Sequence, residues 1–264
     1  MRELSLGEQK SIQLEILDSI HRFCESEGLM YSLCGGTMLG AVRHRGYIPW
    51  DDDIDLMMPR TDYQRFLDTY SSKENEVLNL SEKETCTEQF AKVSRRGTTL
   101  EDATFHRRLW GVNVDIFPID GMPSAYRTYT DRIIMIHNKV MKCCPAFKAA
   151  GKNKAYWCLR YYAKRIFHGV KGNCLSLKAE INQTLCSNLP EESPLSTVIA
   201  GDYKIFPFPS DTFRRYKDIL FEGKKYKCIK DTDLYLSTVY GDYMTLPPES
   251  ERVTHHIYKA FIEG

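Results

Sequence analysis

The 264-residue chain carries 36 Lys and Arg against 35 Asp and Glu, with 42% hydrophobic residues, enough for one large domain or two small ones around a proper core. A net charge of +1 argues against general electrostatic binding of nucleic acid, although local basic runs can still serve a polyanionic ligand. The N-terminus lacks the basic start and apolar run of a secretion signal, and no later segment approaches the roughly 20 apolar residues that span a bilayer, so a cytoplasmic protein is expected.

Ser5 and Glu8 fit a capping box, and Ile12, Ile16, Ile20 and Phe23 then recur at helical spacing, which predicts an amphipathic helix to about Ser26. "LMYSLC" (29–34) reads as a short strand stopped by Gly35 and Gly36, and "TMLGAVRH" as a helix with Thr37 near its start. "DIDLMM" (53–58) reads as a strand ended by Pro59, after which Thr61 and Gln64 open a helix. Further strands are expected at "EVLNL" (76–80), "QFAKVS" (89–94) and "VNVDIF" (112–117), with a turn around Gly97 between the last two. These elements predict an α+β fold with a mixed sheet.

From Pro123 to Gly172 the composition shifts to helical stretches rich in Lys and Arg, read as a basic helical insert or subdomain. The remainder mixes helix signals with the Pro-rich loops "FPFPS" and "LPPES" and resolves into no clear element order. Nine cysteines, an odd number with no CxxC pair, read mostly as buried thiols and argue against a disulfide scaffold or zinc ribbon.

The chemistry concentrates in residues 34–59, "CGGTMLGAVRHRGYIPWDDDIDLMMP". Strand alternation places Asp53 and Asp55 on one face, with Ile54 and Leu56 packed behind them. Carboxylates that close repel one another unless a cation lies between them. Asp115, flanked by Val114 and Ile116 in a second apolar strand, offers a third oxygen donor, and such donors suit Mg²⁺. A glycine turn leading into a helix aims backbone N–H groups at an anion. Each feature alone is more often structural: Asp51 and Asp52 a solvated loop, Gly35 and Gly36 a tight turn. Together they indicate metal and phosphate chemistry.

The order of a GG turn, an Asp-x-Asp strand and a later strand with one Asp resembles the signature of the nucleotidyltransferase superfamily. More narrowly, "CGGTMLGAVRHRGYIPWDDDIDLMMPRTDYQRF" resembles the LicD family of phosphotransferases, related to the fukutin-related proteins. "FAKVSRRGTTLED", "GVNVDIFPIDGMP" and "YGDYMTLPPESERVTHH" support the likeness. The resemblance implies a nucleotidyltransferase-like mixed sheet flanked by helices over residues 1–123, with residues 124–264 supplying the helical basic region and a C-terminal segment that completes the site.

It further implies transfer of a phospho-alcohol, typically phosphocholine from CDP-choline, to a sugar hydroxyl of a cell-surface glycan or its lipid-linked precursor, releasing CMP. Asp53, Asp55 and Asp115 would bind Mg²⁺, with Mn²⁺ as a substitute, and Gly35, Gly36 and Thr37 would hold the diphosphate. A metal bridging the phosphates neutralises charge on the leaving CMP while one carboxylate, expected to be Asp115, orients or deprotonates the hydroxyl.

Arg43 and His44 follow the glycine helix and are candidates for phosphate contacts, as are Lys92 and Arg96, which share a strand face that excludes Arg95. Asp52 is a further substrate-binding candidate. Trp50 could box a quaternary ammonium, although loop packing is the favoured reading. His255 and His256 lack the partners of a zinc site, and Arg252 with one of them either closes over substrate or packs. The basic run from Arg127 to Lys171, interleaved with Tyr156, Trp157, Tyr161, Tyr162 and Phe167, is read as a solvated face or as a peripheral contact with an anionic membrane at its inner surface. Two competing functions remain: nucleotidyl transfer, which would release pyrophosphate, and non-catalytic nucleotide or glycan binding. Neither the donor alcohol, the acceptor glycan nor the oligomeric state is legible.

Overall fold

The computed structural model describes residues 1–78, 90–102, 107–108, 110–122, 154–167, 189–198, 206–254 and 258–263. Helix α1 (Leu6–Glu27) starts as expected: Ser5 Oγ accepts from the Glu8 N–H, and the Glu8 carboxylate accepts from the Ser5 N–H at 2.8 Å. It ends at Gly28 in the left-handed region, which favours glycine. Ile16, Leu17, Ile20 and Cys24 form its buried stripe.

Strand β1 (Arg2–Glu3) precedes α1, and β2 (Ser32–Leu33) leads into α2 (Gly35–His44). The two glycines are the first turn of α2, not a turn ahead of it, with Cys34 at the N-cap position. Strand β3 (Asp55–Pro59) starts at Asp55, so Asp53 lies in the approach to the strand. The burial alternation still holds there, with Ile54 and Leu56 fully buried and Asp53 and Asp55 half-buried.

Helix α3 (Arg60–Thr69) follows without the predicted Thr61 and Gln64 capping box; Pro59 occupies the N-cap and no side chain caps the helix. The Gln64 amide donates forward to Asp68 at 3.0 Å, and Arg60 is committed inward to Asp120. Local side-chain competition therefore decides this helix start.

Strands β4 (Asn75–Leu78) and β5 (Ala91–Arg95) pair antiparallel. The Gly97 turn leads not to "VNVDIF" but to β6 (Thr98–Asp102), followed by β7 (Arg107–Arg108) and then β8 (Asn113–Gly121). β8 is central: it pairs parallel with β3, and on its other edge antiparallel with β5 over its first half and with β9 (Leu195–Val198) over its second. β10 (Phe208–Pro209) extends the sheet beyond β9. Among the described residues this mixed sheet has seven strands, and it bears out the α+β reading.

In the smaller sheet β1, β13 (Tyr258–Ile262), β6 and β7 stand in that order, around Leu4, Leu100, Val112 and Ala260. Strands from both ends of the chain thus complete sheets begun before residue 123. The hairpin of β11 (Tyr216–Phe221) and β12 (Lys224–Ile229) turns at Glu222 and Gly223, both at positive φ, the geometry a two-residue hairpin loop demands. Of the basic region, α4 (Lys154–Phe167) is described; the rest of the run from Arg127 to Lys171 lies outside the described residues. Helix α5 (Thr232–Tyr240) precedes the C-terminal loop. Cys24, Cys34 and Cys228 are buried free thiols, as expected.

Candidate functional site

The end of β2, the start of β3, the start of β8 and β5 lie side by side at one level of the main sheet. The Cys34 N–H donates to the Asp55 carbonyl at 3.0 Å, and the Asp55 N–H donates to Thr37 Oγ1 at 2.8 Å. Asp55 is thereby tied to the N-terminus of α2 through both its backbone groups. The Thr37 hydroxyl thus anchors this carboxylate's backbone.

Asp115 sits directly across from Asp55 in the parallel register, and Lys92 directly across from Asp115 on β5. Residues in register share a face, so the row reads carboxylate, carboxylate, ammonium. Lys92 Nζ donates to Asp115 Oδ2 at 2.6 Å, and Asn113 Nδ2 donates to Oδ1. The Lys92 ammonium also lies 4.5 Å from the Phe90 ring centre and 4.8 Å from that of Trp110. Two aromatic faces and a carboxylate hold this lysine, which is almost fully buried.

The glycines have a steric role. A Cβ on Gly36 would stand 2.7 Å from Asp51 Oδ2, and one on Gly35 would stand 3.1 Å from Asp55 Oδ2, with Gly35 also at φ +50°. Their absence of side chains lets two carboxylates reach the first turn of α2, where the helix dipole favours negative charge. Asp51, read from the sequence as a solvated loop residue, is thus part of the cluster. Gln13 of α1 ties the loop down by donating to the Asp52 carbonyl at 2.9 Å.

Burial, and then the charges of Asp53, Asp115 and Asp51, push the Asp55 carboxyl well above its ordinary value, with Lys92 partly offsetting them. The Tyr240 hydroxyl, 3.7 Å from where a Gly35 Cβ would lie, is raised by burial and then by Cys34, Asp55, Asp51 and Asp53. It stays protonated at neutral pH, a donor facing the carboxylates. Burial holds the Cys34 thiol up at about 12, so it is no nucleophile.

Among the described residues no three His, Cys, Asp or Glu side chains already converge as a metal-binding group. The chemistry of the donor set nevertheless fits a hard cation: carboxylate oxygens only, crowded enough to raise one another's proton affinity. A cation taken up there would compete with Lys92 for Asp115 Oδ2.

Lys92→Met is therefore expected to lower the stability of the metal-free protein by about 1–3 kcal/mol, because Asp115 is left without its cation. Mg²⁺ is expected to restore a larger share in the variant than it adds to the wild type. Thermal unfolding with and without Mg²⁺ checks both; a variant as stable as the wild type would show that the pair contributes nothing.

A second group lies at the far end of α2. Arg43 Nε donates to His44 Nε2 at 3.0 Å, and Arg43 Nη1 donates to the Tyr243 carbonyl at 2.8 Å. Burial and the Arg43 charge hold His44 below its ordinary value, consistent with a neutral, accepting ring. Trp50 packs edge-on to His44 and beneath the Arg252 guanidinium, 5.6 Å from its ring centre. Arg43 and Arg252 are close enough for Arg252 to disfavour the Arg43 charge, second to burial. Arg96 lies in the turn beyond β5 and pairs with Glu76 at 3.4 Å, so the structure does not bring it to the carboxylates. His255 and His256 lie outside the described residues.

Four contributors were missed in the sequence: Asp51, Asn113, Gln13 and Tyr240. Asn113 carried a usable signal, two residues before Asp115 on one strand and so on the same face. Tyr240 and Gln13 reach the site through tertiary packing.

A family model described as the LicD/FKTN/FKRP nucleotidyltransferase domain matches residues 28–148. The lipopolysaccharide cholinephosphotransferase LicD of Haemophilus influenzae is 31% identical over 273 residues, covering 99% of this chain and 100% of that protein. An uncharacterized protein of Rickettsia typhi is 33% identical over 67 residues, 25% of this chain and 22% of its own length.

Proposed function

Since the chain belongs to the LicD family and aligns end to end with its Haemophilus member, we propose that it transfers phosphocholine from CDP-choline to a sugar hydroxyl of a surface glycan or its lipid-linked precursor, releasing CMP. The observation that carries this reading is the in-register row of Asp55, Asp115 and Lys92 beside the first turn of α2. Asp53, Asp55 and Asp115 would hold Mg²⁺ or Mn²⁺, which when bound supplies charge neutralisation at the donor's diphosphate.

The chain's own residues do the rest. The backbone N–H groups of Gly35, Gly36 and Thr37 begin a helix, the end that attracts anions. Arg43 and Arg252, two like charges gathered beside Trp50, supply fixed positive charge for the donor's phosphates, with neutral His44 orienting Arg43. Asp115 takes or orients the acceptor's proton. Lys92 and Asn113 fix the carboxylate with one donor on each oxygen, which leaves each oxygen a second lone pair for the acceptor's proton.

Product identity tests the proposal. The protein is incubated with Mg²⁺, a lipopolysaccharide acceptor and, in separate reactions, CDP-choline, CDP-ethanolamine, CDP-ribitol, CDP-glycerol or CTP. Metal-dependent CMP release from CDP-choline, lost in Asp53→Asn, is the expected result. Pyrophosphate release from CTP would replace it with nucleotidyl transfer, and silence without metal-dependent nucleotide binding would leave a non-catalytic binding protein.

A further inference from the structure

Helix α4 exposes side chains that helices ordinarily bury. Leu159 is 72%, Ile166 81% and Phe167 84% exposed, and Tyr156 and Tyr162 stand more than half in solvent. At 100° per residue, Tyr156, Leu159, Tyr162, Ala163, Ile166 and Phe167 fall within one sector of roughly 140°. Single exposed apolar side chains are ordinary, whereas a whole helical face of large ones marks a contact surface. Arg160 stands at the margin of that face, donating to the Tyr156 hydroxyl at 3.3 Å.

Charge selects the occupant. The α4 sequence holds Lys154, Arg160, Lys164 and Arg165 and no acid. On the same wheel Arg160 borders the apolar sector and positions 154, 164 and 165 fall about 130–150° from its centre, so a protein groove would have to offer an apolar floor and answer a wholly basic helix as well. An anionic bilayer answers both features, taking the apolar sector into the acyl boundary and the cations at its headgroups. Tyrosine rings suit that depth, apolar in body and polar at the tip. At 14 residues α4 is too short to cross a bilayer and of a length to lie in its interface.

We propose that α4 is an in-plane membrane anchor that seats the protein on an anionic lipid surface. The anchor would hold the catalytic face near a lipid-linked acceptor, but the argument from α4 stands without the phosphocholine reading.

Flotation of the full chain with phosphatidylcholine vesicles, with and without phosphatidylglycerol, tests this without nucleotide or acceptor. The expected result is flotation that requires phosphatidylglycerol, weakens with salt, and falls roughly tenfold or more in Leu159→Glu/Ile166→Glu. Thermal midpoints of the two proteins should agree, because both side chains are exposed. Equal flotation of wild type and double variant, or none with either vesicle, would overturn the proposal. So would a concentration-dependent dimer, seen by sedimentation velocity, that the double variant abolishes without any change in flotation. CMP release on a soluble acceptor should survive in the double variant, which keeps failure of the anchor distinct from failure of the catalytic assignment.

Discussion

Asp55→Asn is expected to abolish turnover while making the metal-free protein more stable. Function should fall by about 10²- to 10³-fold or more, the scale on which loss of one fixed electrostatic contact to the reacting centre acts. Stability should move the other way because the Asp55 carboxylate is disfavoured in the fold, by burial and then by Asp53, Asp115 and Asp51. Asparagine keeps the shape and removes the repulsion.

The sign with pH follows from linkage. The folded state holds the Asp55 proton to higher pH than the unfolded chain does, so the group's contribution is intact below its ordinary value of 3.8 and is lost as pH rises toward its raised folded value. The advantage of the variant should therefore grow with pH, reaching about 2–4 °C in Tm, the size of a 1 kcal/mol change in a chain near this length. Mg²⁺ should raise the Tm of the wild type and leave the variant unmoved. Thermal melts at pH 5 and pH 8, with and without Mg²⁺, check all three; a variant destabilised in the absence of metal would make Asp55 a structural residue.

The second large effect lies on the other side of the sheet connection. Arg60 opens α3 and makes a two-pronged ion pair with Asp120 near the end of β8, at 2.6 and 2.7 Å. Their side chains are 7% and 0% exposed. Removing Arg60 leaves the Asp120 carboxylate buried without its ion-pair partner, so Arg60→Met is expected to cost about 3–5 kcal/mol, and Asp120→Leu, which takes both prongs from a buried guanidinium, a similar amount. The double variant Arg60→Met/Asp120→Leu should recover much of that loss, because two apolar side chains need no partner. Urea denaturation of the three proteins separates these outcomes. Single variants within about 1 kcal/mol of wild type would show that water or rearranged polar groups satisfy the remaining charge.

What the sequence revealed of the site followed the range of the interaction concerned. Asp53 and Asp55 could be grouped because alternation along one strand is local, and Asp115 because it stood alone between apolar residues. The pairing of Asp115 with Lys92 could not, because it depends on the register between β5 and β8. Lys92 was singled out as a phosphate ligand, but its geometry first shows it as the counter-charge of a carboxylate. Arg60 and Asp120 drew no notice: an arginine after a proline and an aspartate before a glycine carry no signal until α3 is packed on the sheet.

Element boundaries erred where side chains competed for backbone groups. At α3 a plausible Thr61 and Gln64 cap lost to Pro59 geometry and to the burial of Arg60. The β11–β12 hairpin was missed although Glu222 and Gly223 sit between two alternating runs, because Glu is an unusual residue at positive φ. Trp50 packs against His44 and Arg252 at the partly buried margin of the core.

The claim that everything else depends on is that the carboxylates around the first turn of α2 hold a divalent cation against the donor's diphosphate. Electron–nuclear double resonance of Mn²⁺ added to the protein with CDP-choline reads this contact directly. Coupling from phosphorus to protein-bound Mn²⁺, absent in Asp55→Asn, is the result expected. Mn²⁺ bound without phosphorus coupling, or bound equally well by Asp55→Asn, would contradict the assignment of this cluster as the donor site.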